Sequence, residues 1–352
     1  MGGPHHDVIT VSDGINPPTK NTNFVEYHER ETETACKNID NRSASIGATR
    51  NQGSLGWCFG FTAADLMSQF LGVRVSSAEA SVNYFRSEKY LKEHPGAESN
   101  SYGFLSGGQI ADAISASLKR GVCKEDDIPY LNEENSEYKA YAKNLDKIYA
   151  LFIDFKNAQT INNPQTQDIV CTNLPAINTL FPNFSNDELT KILLASGDSQ
   201  QKVNTLYDNA CNGHKIYPTK KFKIKTMTLG RYSSTAGIEQ KTDELVTDQG
   251  HQFFPEIDRV LNKKGIIGIS ISARAFFGIN HDEHSSHAMS IVGREYNAKR
   301  KRCEYIVRNS YGKNCSFYDR TRLNCDENGT LHVPEELLKK AVFGVTSLEE
   351  AQ

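Results

Sequence analysis

Apolar residues recur at helical spacing through the first third of the chain and at strand-like alternation through the last third. Residues 61–71 form a helical run. Ser76-Ser77-Ala-Glu79 then reads as a helix start, with a capping serine and a first-turn acid. Val82, Phe85 and Tyr90 give the helix that follows an apolar face. Gly107-Gly108 breaks the chain ahead of a third helix, which carries Ile110, Ala113, Ile114 and Leu118 on one side and ends at Gly121. Ile128-Pro129-Tyr130 reads as a turn. Residues 50–130 are therefore predicted to be helical.

The middle of the chain has a different texture. Residues 136–152 read as an amphipathic helix. Ser185-Asn-Asp-Glu188 has capping-box spacing and opens a short helix stopped at Gly197, and residues 200–211 suggest another. Lys220-Lys-Phe-Lys-Ile-Lys225 alternates as an exposed strand does, and its basic side reads as a solvated strand face rather than a nucleic-acid surface. Residues 1–38 are polar, contain Pro17-Pro18 and read as an extended arm.

Strand patterns dominate the end. Residues 265–273 are β-branched and partly alternating, after a short helix at 254–261. Residues 287–294 and 303–308 form a predicted hairpin whose tip carries Lys299-Arg-Lys-Arg302. Asp326-Glu-Asn-Gly329 is a turn and 330–333 a final strand. Pro334 is expected at the first position of a last short helix.

Composition changes this picture little. With 352 residues, 38% hydrophobic, 24% charged and a net charge of -3, the chain reads as an ordinary globular protein. That charge gives no reason to expect nucleic acid as a partner. No apolar run approaches ~18 residues, so no membrane span is expected. The eight cysteines, at 36, 58, 123, 171, 211, 303, 315 and 325, are too sparse for a disulfide scaffold. Were Cys58 a thiol, an odd number would remain, so at least one more would be unpaired. Cys315 and Cys325 flank a short polar loop and are placed to close it. Cys171 and Cys211 are a candidate pair in the middle region. A fully reduced cytosolic chain stays open as the alternative.

The candidate chemistry starts at Cys58, which follows a glycine-rich turn and opens a helical run. A helix N-terminus presents unpaired N–H groups and a partial positive charge, which favour the thiolate form of a thiol placed there. A buried structural cysteine is the competing reading. A cysteine nucleophile needs a base, and the base needs a third group to orient it. His287 begins an apolar strand, with the small Ala288 beside it, and Asn309 ends the partner strand. Neighbouring strands lie ~5 Å apart, so an Asn at one end reaches a His at the other. Gln52, across a loop containing Gly53 and Gly56, is placed to donate to an oxyanion together with the Cys58 backbone N–H. A zinc-binding reading of His281, His284 and His287 is weakened by Gly278, Asn280 and Ser285-Ser286, which disfavour a helix there. No metal and no cofactor is expected.

These residues carry a resemblance. Asn51-Gln-Gly-Ser-Leu-Gly-Trp-Cys-Phe-Gly-Phe-Thr62 resembles the nucleophile loop of papain-like cysteine proteases, usually NQGSCGSCWAFS. Ser286-His287-Ala-Met-Ser-Ile-Val-Gly293 resembles the family's DHAVLIVGY strand, and Tyr305-Ile-Val-Arg-Asn309-Ser-Tyr-Gly312 its YWLVKNSWG. Gly107-Gly108 with the later Ile-Pro-Tyr130 resembles NGG…YPY. With 265–273, five blocks stand in family order, over about 39–130 and 251–333.

The resemblance implies an α+β, papain-like two-lobed fold: a helical left lobe, an antiparallel β-barrel-like right lobe and an inserted subdomain. The implied layout is an N-terminal arm or pro-segment remnant at 1–38 and a helical lobe with the nucleophile at 39–130. An insert of unknown role at 131–250 and a β-rich lobe with His287 and Asn309 at 251–352 follow. It implies Cys58 as nucleophile, His287 as base, Asn309 as its orienting group and Gln52 as oxyanion donor. Gly107 and Gly108 would bind substrate backbone as an extended strand. Ala288 and Ile269 would line a pocket favouring apolar side chains, and Trp57 would bear on substrate range. The implied protein is a monomeric endopeptidase acting on peptides or proteins, with a protein inhibitor or pro-segment as a further partner. Its place would be extracytoplasmic: secreted, periplasmic or lysosome-like. The competing functions are a binding or regulatory protein on the same scaffold, and an acyl-transferring or amidase variant.

The departures are specific. Leu55 stands where the family has a disulfide cysteine, and Phe104-Leu-Ser106 lacks the usual partner. Trp57 replaces a small residue, Phe59 the usual Trp, Tyr311 the Trp that shields the Asn–His bond, and Ser286 the Asp before His. Roughly 230 residues separate Cys58 from His287, against ~130–150 in such enzymes. The excess falls in 131–250.

Overall fold

A computed structural model of the chain describes residues 9–15, 30–53, 55–94, 107–129, 164–195, 199–211, 213–229, 249–277 and 286–351. In chain order the elements begin with β1 (Ile9–Ile15), α1 (Glu33–Cys36), β2 (Ile39–Asp40), α2 (Cys58–Leu71), α3 (Ser77–Phe85), α4 (Glu88–Glu93) and α5 (Ile110–Arg120). Then come α6 (Pro164–Leu180), α7 (Asn186–Leu194), α8 (Ser199–Asn209), β3 (Phe222–Leu229), α9 (Phe254–Asn262), β4 (Ile267–Ser272) and α10 (Ala273–Phe277). The chain closes with β5 (Ser286–Asn297), β6 (Arg302–Arg308), β7 (Asn324–Cys325), β8 (Thr330–Pro334), α11 (Glu335–Ala341) and β9 (Val342–Glu350). The fold is α+β, and the chain divides into two compact units. One, the helical unit, is Arg50–Ala64 with Arg74–Pro218; the other, the sheet unit, is Met1–Thr49, Asp65–Val73 and Thr219–Gln352.

In the sheet unit the strands run β1-β3-β9-β4-β5-β6-β8-β7, with β2 paired to β5. Every pairing is antiparallel except β1 with β3. Period-2 alternation builds the core: Ile267, Ile269 and Ile271 of β4 share one face, where Met289, Ile291, Tyr305, Val307, Leu331, Val333 and Val345 join them. Helices α9 and α11 add Ile257, Val260, Leu261, Leu337 and Leu338 to the same core. Each such side chain contributes about 1.5–3 kcal/mol of burial. Gly293 admits β2, since a Cβ there would lie 2.2 Å from the Ile39 carbonyl oxygen. The basic side of β3 is matched by acids: Lys225 pairs with Glu256 at 3.2 Å, Lys220 with Glu350 at 2.7 Å, and Lys223 lies opposite Glu349 in register.

The N-terminal arm joins this unit through β1, which pairs with β3, and again from Arg30 onward. Arg30 pairs with Asp258 at 3.0 Å and Glu335 at 2.5 Å, its carbonyl accepts from Cys303 N–H, and Cys36 forms a disulfide with Cys303. Polar sequence around a few anchoring side chains explains why the arm shows no periodicity.

In the helical unit, Ser76 and Ser185 cap α3 and α7, the latter with a complete capping box. Gly60 lets α2 and α3 approach, because a Cβ would meet Ser81 Oγ at 2.0 Å. Beneath α3 the carboxylate of Glu79 is fully buried, accepts from Cys123 N–H at 2.6 Å and pairs with Lys215 at 3.1 Å. Burial pushes that carboxyl above the usual range, with Lys215 and the Cys123 N–H opposing. Arg86, also buried, binds Asp208 at 2.9 Å and Asn83 at 2.7 Å and lies over the Tyr207 ring. These ties join α8 to α3.

Several expectations are revised. Cys211 pairs with Cys123, not with Cys171. The bridge between Val122 and Ile216 brings the end of α8 beside Cys123, whereas Cys171 is exposed on α6 and forms no disulfide. Cys315–Cys325 is a disulfide as the loop suggested. Pro334 is the N-cap of α11 and the last residue of β8, in an extended conformation, rather than the first helical residue. Helix α7 ends at Leu194, and Gly197 and residues 136–152 lie outside the described residues. Sequence reading passed over α6, whose internal Pro175 argues against a helix, and β9, whose Gly344 and acidic end hide the alternation.

Candidate active site

In the helical unit, α2 begins at Cys58, where the sequence order placed the helix start. The Trp57 carbonyl accepts from Gly60 N–H at 2.9 Å and Phe61 N–H at 3.1 Å, which makes Cys58 the first helical residue. Its thiol is half-buried. The loop before it is fixed by polar groups. Buried Gln52 donates through Nε2 to the Leu55 carbonyl at 2.6 Å, and Trp57 N–H donates to the same oxygen at 2.8 Å. Gly53 takes a positive φ of 62° that other residues adopt only with strain. Buried Arg50 anchors the loop base on Glu125 at 3.2 Å and the Val75 carbonyl at 2.8 Å. Trp57 is fully buried.

Phe59 packs edge-on to Tyr84, with centroids 4.9 Å apart. Gly108 lies against both rings: a Cβ there would sit 2.7 Å from Tyr84 Cε1 and 2.8 Å from Phe59 Cε2. At Gly107 a Cβ would meet nothing within 4 Å. Burial, helped by Asp112, Tyr90 and Glu93, pushes the Tyr84 phenol above its ordinary range, so it is uncharged at neutral pH. Gly108→Ala is expected to cost about 1–3 kcal/mol through overpacking, while Gly107→Ala stays near neutral. Urea unfolding midpoints of the two variants check the contrast.

In the sheet unit, His287 is the second residue of β5 and Asn309 directly follows β6. Both are buried. The pairing of Ser290 with Arg308 sets the offset that lets their side chains meet, with His287 Nε2 and Asn309 Oδ1 2.7 Å apart. The Ser310 N–H also donates to Oδ1, at 2.7 Å. An oxygen already accepting one N–H calls for Nε2–H as the second donor, which leaves the lone pair of the neutral ring on Nδ1. Tyr311 stacks on His287 with centroids 4.8 Å apart and planes 25° from parallel. Phe277 meets the ring edge-on at 5.7 Å. The Asn309 Nδ2 donates to Tyr318 Oη at 2.6 Å.

Arg308, next to Asn309, is buried and holds this end of β6. Its guanidinium donates to Asp65 at 3.0 Å and to the carbonyls of Gly47 at 2.9 Å, Ala48 at 3.1 Å and Ile46 at 3.3 Å. Ala288 is buried opposite Ser270, and Ile269 belongs to the apolar core of the unit. His281 and His284 lie outside the described residues. Among the described residues no group of three or more His, Cys, Asp or Glu is placed to hold a metal ion.

Sequence reasoning missed Tyr318, Phe277 and Arg308. Nothing in a polar loop announces that its ninth residue beyond Asn309 returns to that side chain. The one clue was the pair Cys315 and Cys325, which shortens the loop's reach.

No model of a known protein family matches the chain, and no curated protein matches its sequence. Among solved structures, a recombinant stem bromelain precursor shares 12% identity over 96% of this chain and 77% of its own, with a TM-score of 0.43. The procathepsin B S9 of Trypanosoma congolense shares 12% over 96% of this chain and 83% of its own, with a TM-score of 0.43. The proform of Amb a 11, a cysteine protease and ragweed pollen allergen, shares 12% over 95% of this chain and 69% of its own, with a TM-score of 0.42. Likeness this weak shows no family membership, and the case for an activity rests on the chain's own residues.

Proposed function

We propose that the chain is a papain-like cysteine peptidase. The observation that carries the reading is the buried His287–Asn309 bond, roofed by Tyr311, in a chain whose Cys58 opens a helix behind a Gln52-braced loop. On this reading the Cys58 thiol gives its proton to Nδ1 of His287, and the thiolate attacks the peptide carbonyl carbon. The carbonyl oxygen becomes an oxyanion, stabilised by Gln52 and the Cys58 backbone N–H. The imidazolium protonates the leaving amine, and a thioester remains on Cys58. His287 then takes a proton from water as the water attacks, and the acid is released. Asn309 is a neutral orienting group, suited to a thiolate–imidazolium pair whose charges already balance. Gly107 and Gly108 supply backbone for an extended substrate, and the small Ala288 favours apolar side chains; Ile269 faces the core on the other side of the sheet and lines no pocket with Ala288.

Three disulfides suit an oxidising, extracytoplasmic compartment. Among the described residues no helix is long and apolar enough to cross a membrane.

An epoxide inhibitor of thiol proteases should label the protein at one equivalent on Cys58, located by peptide mapping, and Cys171 should not react with it. No labelling at Cys58 would sink the peptidase reading and leave a binding or regulatory protein on this scaffold. Mass spectrometry of products formed in the presence of added amines separates hydrolysis from acyl transfer.

A further inference from the structure

The inference here rests on the peptidase reading and adds a residue to it. The two ends of the Asn309 carboxamide keep different company. Oδ1 accepts from His287 Nε2 and Ser310 N–H, both at 2.7 Å, and Nδ2 donates to Tyr318 Oη at 2.6 Å. A carboxamide is nearly symmetric in shape. Turned by half a revolution it would aim N–H groups at two N–H donors and lose its oxygen acceptor for His287. The Ser310 N–H, a donor only, opposes that turn at one end, while at the other the Tyr318 hydroxyl tethers the carboxamide in place through Nδ2.

Tyr318 is itself held. Its N–H donates to the Cys315 carbonyl at 3.4 Å, at the end of a turn that the Cys315–Cys325 disulfide ties to β7. Its ring is buried against Phe277 at 5.8 Å, the same ring that meets His287 edge-on. We propose that Tyr318 is a positioning residue. By accepting from Asn309 Nδ2, it keeps the Asn309 oxygen on His287 Nε2 and so holds the basic lone pair on Nδ1. On this proposal Tyr318 acts through Asn309 and takes no part in the bond-making steps.

Tyr318→Phe keeps the ring and removes the acceptor. Turnover of a dipeptidyl fluorogenic substrate should fall about 3- to 10-fold in kcat with KM little changed, the size expected for one hydrogen bond. In an Asn309→Ala background the same substitution should cost nothing further, because the side chain it acts through is gone. A merely structural role would instead lower both backgrounds by the same factor, and that result would overturn the proposal. A second measurement does not depend on turnover. Long-range 1H–15N spectra of histidine-labelled protein, at a pH where the ring is neutral, should show His287 mainly as the Nε2–H tautomer, with a smaller share in Tyr318→Phe. An unchanged share would overturn the proposal. If the wild-type protein cleaves no peptide, the peptidase reading fails, and the tautomer spectra alone decide the role of Tyr318.

Discussion

Cys58→Ala is expected to remove turnover of a dipeptidyl fluorogenic substrate, by on the order of 10⁴-fold or more in kcat. The substitution deletes one sulfur from a half-buried position at the start of α2. The backbone turn that presents residue 58 is held by the bonds of Gln52 and Trp57 to the Leu55 carbonyl, so binding of substrate should survive. The loss therefore belongs in kcat. His287→Ala should match it in size, and the double variant should be no worse than either single one, because nucleophile and base act as a unit. Asn309→Ala should cost less than either, since it disturbs the base without deleting it. Hydrolysis persisting in Cys58→Ala above the level of a mock preparation would rule out the thiolate mechanism. Equal and independent losses for Cys58 and His287 would show that they do not act on the same step.

The largest expected effect on stability comes from Arg308→Met. Arg308 and Asp65 are paired at 3.0 Å with side chains 5% and 10% exposed. The same guanidinium satisfies the carbonyls of residues 46, 47 and 48. Removing it takes the guanidinium partner from a desolvated carboxylate and from three carbonyls, a cost of about 3–5 kcal/mol. Arg308→Lys keeps the charge but not the planar fork, so it should recover only part of that. The double change Arg308→Met with Asp65→Leu should recover more, because removing both charges abolishes the desolvation penalty along with the attraction. Urea unfolding followed by far-UV circular dichroism gives the ordering. If Arg308→Met unfolds at the wild-type midpoint, the pair contributes nothing to the fold.

What could be read from the sequence depended on how far a residue's partner lay along the chain. Helices α3, α5 and α7 were legible because their caps and apolar spacing are written within a dozen residues. The hairpin of β5 and β6 was legible because two apolar runs flank a charged tip. Its register brings His287 to Asn309, so that contact was within reach of a sequence argument. Strand β9 was not, since it is a strand only by virtue of lying between β3 and β4, and its own alternation is weak. The Cys123–Cys211 bond was missed for a related reason. Cys123 sits in a turn that looks ordinary until the isolated bridge from Val122 to Ile216 is known. The restraint on Asn309 by Tyr318 follows from loop geometry, which no periodicity encodes.

The Cys36–Cys303 disulfide has a consequence for how the protein is made. Its two cysteines are 267 residues apart in the chain, whereas Cys123 and Cys211 are 88 apart. At about 5–20 residues per second, the ribosome delivers Cys303 roughly 13–53 s after Cys36. Throughout that interval the Cys36 thiol travels without its partner while Cys58, Cys123, Cys171 and Cys211 emerge in turn. Strand β6, which carries Cys303, is made after all of them. The nascent chain is thus exposed to wrong pairings at its N-terminal end for most of its synthesis. Chains in which Cys36 has paired wrongly reach the native bond only through disulfide exchange, so the yield of native protein should rise with a disulfide isomerase present during expression.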